Sequence, residues 1–254
     1  MSYRYGHFVW RECTTPSIEK SKAFYGSLVG WTTESMKMPP GAGLDEYVMH
    51  KVGDRYQGGF VEMGADAEHP PHWMPYVSVE DVEATAEKAK AAGGTVAVGP
   101  MDIGVGIFAV IGDPQGGWIT AWHSKEGDGE AVPMEDLGPG AFCWDQLNTT
   151  DIQGALDFYT KVFGWSAGEF EGMATFKLGE TSIASVHEQQ PGAPAAWLSH
   201  IIVGNLREAR DAAESKGSKI LMPEIKVPQV GTFAIIADPV GAVISIFEPE
   251  LPAS

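Results

Sequence analysis

The sequence predicts an α+β protein of two tandem βαβββ modules, whose curved mixed sheets pair to form a cup with the helices outside. Three observations carry this prediction: a long internal repeat, a regular exchange between alternating and helical apolar spacing, and a shared closing motif. The stretch "FVWRECTTPSIEKSKAFYGSLVGW", Phe8 to Trp31, has its counterpart in "FCWDQLNTTDIQGALDFYTKVFGW", Phe142 to Trp165. Trp10 and Trp144, Phe24 and Phe158, Tyr25 and Tyr159, Gly30 and Gly164, and Trp31 and Trp165 each stand 134 positions apart. Further on, "FAVIGDPQGGWITAW", Phe108 to Trp122, matches "FAIIADPVGAVISIF", Phe233 to Phe247, at an offset of 125, so the second copy has a shorter middle. "SKEGDGEAVPMEDLGPG", Ser124 to Gly140, is rich in Gly, Pro and acids and lacks apolar periodicity. It divides the chain into a first module over 1–123, a linker over 124–139 and a second module over 140–254.

Each half reads in one order. "HFVWREC" and "AFCWDQL" are short strands rich in aromatic and β-branched residues. A helix follows, with Thr15-Pro16 as N-cap and first helical Pro in one copy and Thr150 with Gln153 as a capping box in the other. Ile18, Ser21, Phe24 and Tyr25, like Ile152, Ala155, Phe158 and Tyr159, recur at helical spacing and place the FY pair in the core. "EYVMHKV" with "GGFVEM", and "TFKLG" with "TSIASVHE", read as hairpins. "PYVSV" and "SHIIV" lead to second helices capped by Asp81 and Asn205 and stopped by Gly93 and Gly217. Two strands around an Asp-Pro-x-Gly turn close each half. The order β-α-β-β-β is thus repeated within each half.

Composition narrows the function classes. Apolar residues make up 44% and charged residues 20% of the 254, which suits a globular core. A formal charge of −17 opposes nucleic acid and anionic lipid surfaces. The N-terminus lacks the apolar run of a signal peptide and no stretch approaches a bilayer-spanning length, so a cytoplasmic protein without membrane contact is expected. Cys13 and Cys143 form no CxxC or zinc spacing and are expected as reduced structural thiols. No GxGxxG, GxSxG or GKS/T motif stands in a strand-to-helix context. "HPPHW", His69 to Trp73, carries two histidines, but its prolines forbid a helix that would align them.

The FY helix, the "GW" turn and the "DPxG" closure, at these spacings and in both halves, resemble the vicinal oxygen chelate superfamily, which holds glyoxalase I, bleomycin-resistance proteins, extradiol dioxygenases and fosfomycin-resistance enzymes. The resemblance implies a ligand cup lined by the sheets and, in the metal-binding members, a divalent cation held there by His, Gln or Glu. Carried onto this sequence, the ligand positions fall on Trp10 and Trp144, Met74 and Leu198, Thr120 and Ser245, and, across a gap, Glu62 and Glu188. Indole, thioether, aliphatic and hydroxyl side chains are poor partners for such a cation. The expectation is therefore no metal and no cofactor, with a divalent metal kept open through an unusual set such as Glu12, Glu62 and an incoming histidine.

Alternation puts Glu12 and Gln146 on the same strand faces as Trp10 and Trp144. Glu12 and Glu62 are the candidate acid/base groups. Trp10, Tyr76, Thr120, Trp122, Trp144, Gln146, His200 and Ser245, with Phe247, are the candidate ligand-binding residues, a mixture of aromatic faces and polar donors suited to a small organic molecule. Three readings follow: a protein, monomer or homodimer, that binds a small molecule in a Trp-lined cup; a metal-dependent glyoxalase-type lyase, isomerase or dioxygenase; and an inactive scaffold.

Overall fold

The computed structural model describes residues 2–250 and contains sixteen strands and four α-helices among them. In the first half, β1 (Phe8–Thr15), α1 (Ile18–Val29), β2 (Thr32–Lys37), β3 (Glu46–Val52) and β4 (Arg55–Glu62) make one βαβββ unit. A second follows as β5 (His72–Ser78), α2 (Val82–Ala91), β6 (Thr95–Asp102), β7 (Gly106–Gly112) and β8 (Trp118–Ser124). The second half repeats both, as β9 (Phe142–Thr149), α3 (Ile152–Phe163), β10 (Ser166–Phe170), β11 (Met173–Leu178) and β12 (Thr181–Glu188), then β13 (Ala196–Ile202), α4 (Leu206–Ser215), β14 (Lys219–Val227), β15 (Gly231–Ala237) and β16 (Val243–Pro249). Each half forms one curved, open, mixed sheet of eight strands, ordered β2-β3-β4-β1-β5-β8-β7-β6 and β10-β11-β12-β9-β13-β16-β15-β14. Within a unit the first and last strands run parallel, and the two units of a half join antiparallel through β1 with β5 or β9 with β13.

The strands that sequence periodicity did not show are β2, β6, β10 and β14, the four sheet edges. Edge strands have a solvated flank and tolerate polar residues and proline. "TTESMK" is largely exposed, and Pro100 and Pro223 interrupt β6 and β14.

Helix starts differ slightly from expectation. Ser17, not Thr15, caps α1, its hydroxyl accepting from the Lys20 backbone N–H; Asp151, not Thr150, caps α3 through the Gly154 N–H. Thr15 instead turns its hydroxyl to Ser21 and accepts from the Ser17 N–H, so the capping geometry begins two residues later. Asp81 and Asn205 cap α2 and α4 as expected, and Gly93 and Gly217 take the left-handed backbone just past their ends.

The core crosses between halves. One cluster joins Val77, Val82, Ile111 and Ile119 of the first half to Leu147, Phe158, Tyr159 and Phe176 of the second; the other joins Phe24, Tyr25, Phe60 and Trp73 to Ile201, Leu206, Ile236 and Ile246. The FY tyrosines pin this exchange. Tyr25 donates to Asp238 (3.1 Å) and accepts from Trp73, while Tyr159 donates to Asp113 (2.9 Å) and accepts from Trp197. Both aspartates belong to the Asp-Pro-x-Gly turn of the opposite half. The GW tryptophans reach across in the same way, Trp31 to the Gly140 carbonyl (2.7 Å) and Trp165 to that of Gly6 (2.8 Å). Cys13 and Cys143 are free thiols, and burial raises the pKa of both, that of Cys143 to about 12.

Candidate functional site

Strand alternation settles which residues line the helix-free faces. On β1, Cys13 points into the core with Phe60 and Trp73, so Trp10 and Glu12 point the other way. Trp10 lies opposite Tyr76, Tyr76 beside Thr120, and Trp122 opposite Phe108, which brings all of these onto one concave face. Most of its side chains are half-buried, the state expected of an open wall rather than a core.

Glu12 sits at the centre of this face. Tyr47 donates its hydroxyl to Glu12 Oε2 (2.8 Å), Tyr76 donates to Oε1 (2.9 Å), and the Trp10 indole N–H donates to the Tyr47 oxygen (2.8 Å). Burial raises the Glu12 pKa above the usual carboxylate range, and the two phenol donors pull it part of the way back. Burial and the neighbouring carboxylate raise both tyrosines, so they remain protonated donors. No Lys, Arg or His forms an ion pair with Glu12 among the described residues. The result is a carboxylate held by neutral donors, with lone pairs left for a guest.

Tyr47 reaches Glu12 because residue 59 is glycine. A Cβ there would stand 2.2 Å from the Tyr47 oxygen, and one at Gly58 would stand 2.2 Å from His50 Nε2 on the other face. Each glycine of "QGGF" clears space for one ring. Sequence reading did not find Tyr47; the Gly-Gly pair inside a strand was the available signal.

The second cup has the same frame and different chemistry. Trp144 lies opposite His200, His200 beside Ser245, and Phe247 opposite Phe233. Gln146 takes the place of Glu12 and donates to Asn148 (2.7 Å). Opposite Gln146, Ser185 stands where the first half has Gly59, and its hydroxyl accepts from Trp144 (3.0 Å). His200 is 5% exposed and Ser245 is fully buried; His200 Nε2 and Ser245 Oγ have no hydrogen-bond partner among the described residues. Burial, with His187 nearby, holds the His200 pKa near 3, so its imidazole is neutral at physiological pH.

The structure therefore gathers Trp10, Glu12, Tyr76, Thr120 and Trp122 in one cup and Trp144, Gln146, His200, Ser245 and Phe247 in the other. It does not bring Glu62 to either. Glu62 pairs with Thr15 at the exposed end of β4, two residues beyond core-facing Phe60, so it projects away from the Glu12 face; Glu188, opposite buried Thr149, does the same. A one-residue difference in strand phase reverses the face, and the gapped mapping carried that error. His69 and His72 do meet, with ring centroids 5.0 Å apart, but both turn Nδ1 to the Pro70 carbonyl.

Trp10, Met74 and Thr120 in one cup, and Trp144, Leu198 and Ser245 in the other, offer no anionic or imidazole donor where the resemblance puts the cation. No cluster of three His, Cys, Asp or Glu suited to a metal occurs among the described residues. The donor set does not fit a chelated divalent ion. Among the described residues no helix is long and apolar enough to cross a membrane.

Comparison with known proteins agrees with this frame. The family described as Glyoxalase/Bleomycin resistance protein/Dioxygenase superfamily matches residues 4–120 and 142–246. The putative glyoxylase CFP32 of Mycobacterium tuberculosis is 30% identical, covering 97% of this chain and 96% of its own. The anthracycline biosynthesis protein DnrV of Streptomyces peucetius is 26% identical, covering 94% and 92%. Among solved structures, the Mn(II)-bound glyoxalase from Novosphingobium aromaticivorans superposes with a TM-score of 0.63 at 16% identity, over 96% of this chain and 82% of its own. The 2,3-dioxygenase LapB from Pseudomonas sp. KL28 gives 0.64 at 13%, over 100% and 96%. At these identities the two structures speak for the fold.

Proposed function

The chain belongs to the Glyoxalase/Bleomycin resistance protein/Dioxygenase superfamily, and from that premise we propose that it binds a small, flat organic molecule in the first cup, anchored by Glu12 and walled by Trp10 and Trp122, without a chelated metal. One observation carries the reading: among the described residues the Glu12 carboxylate receives two phenol hydroxyls and no cation, on a concave face left half-open. A carboxylate in such a place favours a guest that donates hydrogen bonds, a hydroxyl or an ammonium, while the aromatic walls favour a planar guest. Two relatives of nearly full coverage are named as anthracycline biosynthesis proteins, which supports a flat polycyclic guest for this chain also.

The same carboxylate supports a second reading. With a pKa raised by burial and a phenol on each oxygen, Glu12 is poised to take a proton from a bound hydroxyl or carbon acid and to pass it back. Metal-free proton transfer on the bound guest is therefore compatible with the same cup.

The test is titration of a panel of hydroxylated planar aromatics by tryptophan fluorescence and thermal shift, with Trp10→Ala and Glu12→Gln beside the natural chain. The expected result is saturable quenching, weakened roughly 10- to 100-fold in Glu12→Gln, in line with loss of a charged hydrogen bond. Equal affinity in both variants, or no response to any of the panel with the fold intact, would refute the reading.

A further inference from the structure

The second cup repeats the first in shape but not in charge. Its central polar group is an amide already engaged by Asn148, and burial lowers the pKa of both its imidazoles, His187 and His200, so among the described residues on this face no carboxylate compensates a cationic guest. Two atoms without a partner among the described residues lie on adjacent parallel strands, His200 Nε2 on β13 and Ser245 Oγ at the register position beside it on β16. Both residues are more than nine-tenths buried, and both are on the face of Trp144. Buried polar atoms without partners are rare, because each one forfeits its hydrogen bonds to water. A neutral imidazole nitrogen and a hydroxyl beside each other can accept and donate in one place. A hydroxyl satisfies both at once, giving one hydrogen bond and receiving another, and between Trp144, Phe233 and Phe247 a planar carrier of that hydroxyl, a phenol or an enol, makes the larger contact. Phe233, edge-on to His200 at 5.1 Å, and Phe247 add aromatic wall.

We propose that His200 and Ser245 form a second recognition site, selective for an uncharged planar molecule bearing a phenolic or enolic hydroxyl, so that one chain holds two cups of different specificity. This rests on the reading of the cups as small-molecule sites. The first cup, with its carboxylate, accepts an ammonium as well as a hydroxyl; the second discriminates against the ammonium, which it would have to desolvate without a counter-charge.

The experiment uses two probes of like shape, 2-naphthol, uncharged at neutral pH, and 1-naphthylmethylammonium. Binding to the full chain is followed by the indole N–H resonances of ¹⁵N-labelled protein, with Trp10→Phe and Trp144→Phe identifying the two cup signals. 2-Naphthol is expected to shift the Trp144 signal, and His200→Leu and Ser245→Ala are each expected to weaken that response about tenfold. 1-Naphthylmethylammonium is expected to move Trp10 and leave Trp144 unchanged. Ser245→Ala removes a single oxygen and keeps the test valid if His200→Leu fails to fold. An ammonium response at Trp144 equal to that of naphthol, or a naphthol response unaffected by Ser245→Ala, overturns the proposal. A Trp10 response with none at Trp144 overturns it while sparing the first cup. Silence at both signals overturns the small-molecule reading as well.

Discussion

The two halves fold on one plan, agree where they pack against each other and differ most inside their cups. Tyr25 and Tyr159, Trp31 and Trp165, Asp113 and Asp238 perform the same tasks in each half with nearly the same distances. In the cups, glutamate answers glutamine, tyrosine answers histidine, and glycine answers serine. The difference teaches that packing and cross-half hydrogen bonds tie a duplicated position to its partner, whereas a position pointing into a cup has no such partner and can change alone. One contact between the halves departs from this rule. Arg11 and Asp145 are equivalent positions, yet they carry opposite charges and pair directly in a buried ion pair, so each half is marked as complementary to the other rather than to a copy of itself. A like-charged encounter at that spot would leave two buried charges unpaired.

The largest expected effect comes from breaking that complementarity. Arg11→Met leaves the Asp145 carboxylate buried with its Ser199 donor but no counter-charge among the described residues and should cost about 3–5 kcal/mol in urea unfolding, whereas Arg11→Met with Asp145→Leu should recover most of it. A single variant as stable as the natural chain would show that the pair does not organise the interface. Next, Tyr25→Phe and Tyr159→Phe each strand an aspartate oxygen and an indole N–H, at about 1–3 kcal/mol apiece. Equal costs, additive in the double variant, would confirm the symmetry of the frame; a twofold disparity would break it.

A third comparison is titrational. His50 is fully buried against Trp31 at 3.9 Å, where the second half has Phe176, and burial lowers its pKa from 6.5 to about 3. Unfolding below pH 6.5 therefore takes up a proton, so stability that is present above 6.5 is lost as the pH falls toward 3. His50→Phe should remove about 2 kcal/mol of the loss between pH 7 and pH 5, read as a flatter plot of denaturation midpoint against pH. An unchanged slope would place the acid sensitivity elsewhere. The smallest effect is of opposite sign. Glu12 has a raised pKa, so the folded chain holds its proton to higher pH than the unfolded chain, and stability falls as the pH rises through that interval. Glu12→Gln should gain on the natural chain from pH 4 to pH 7; a difference that shrinks over that range would contradict the assigned cause.

Much of this was legible in the chain itself. Repeat spacing, strand alternation and helix periodicity are local, so they gave the α+β class, the FY pair in the core, and Trp10, Glu12, Trp144 and Gln146 on one kind of face. The edge strands were less visible, because a strand with one solvated flank needs no apolar alternation. Tyr47 was invisible for another reason: its contact with Glu12 spans 35 positions and depends on Gly59 having no side chain.

What the sequence determined alone was the repeating unit and the faces of its strands, since those follow from bond geometry and neighbouring residues. Only the tertiary structure decided that each core is shared between halves, that Glu62 turns away while Tyr47 turns in, and that His200 Nε2 and Ser245 Oγ lie on neighbouring strands with no hydrogen-bond partner among the described residues. Those outcomes depend on register between strands far apart in the chain, and a shift of one residue there exchanges the core face for the cup face.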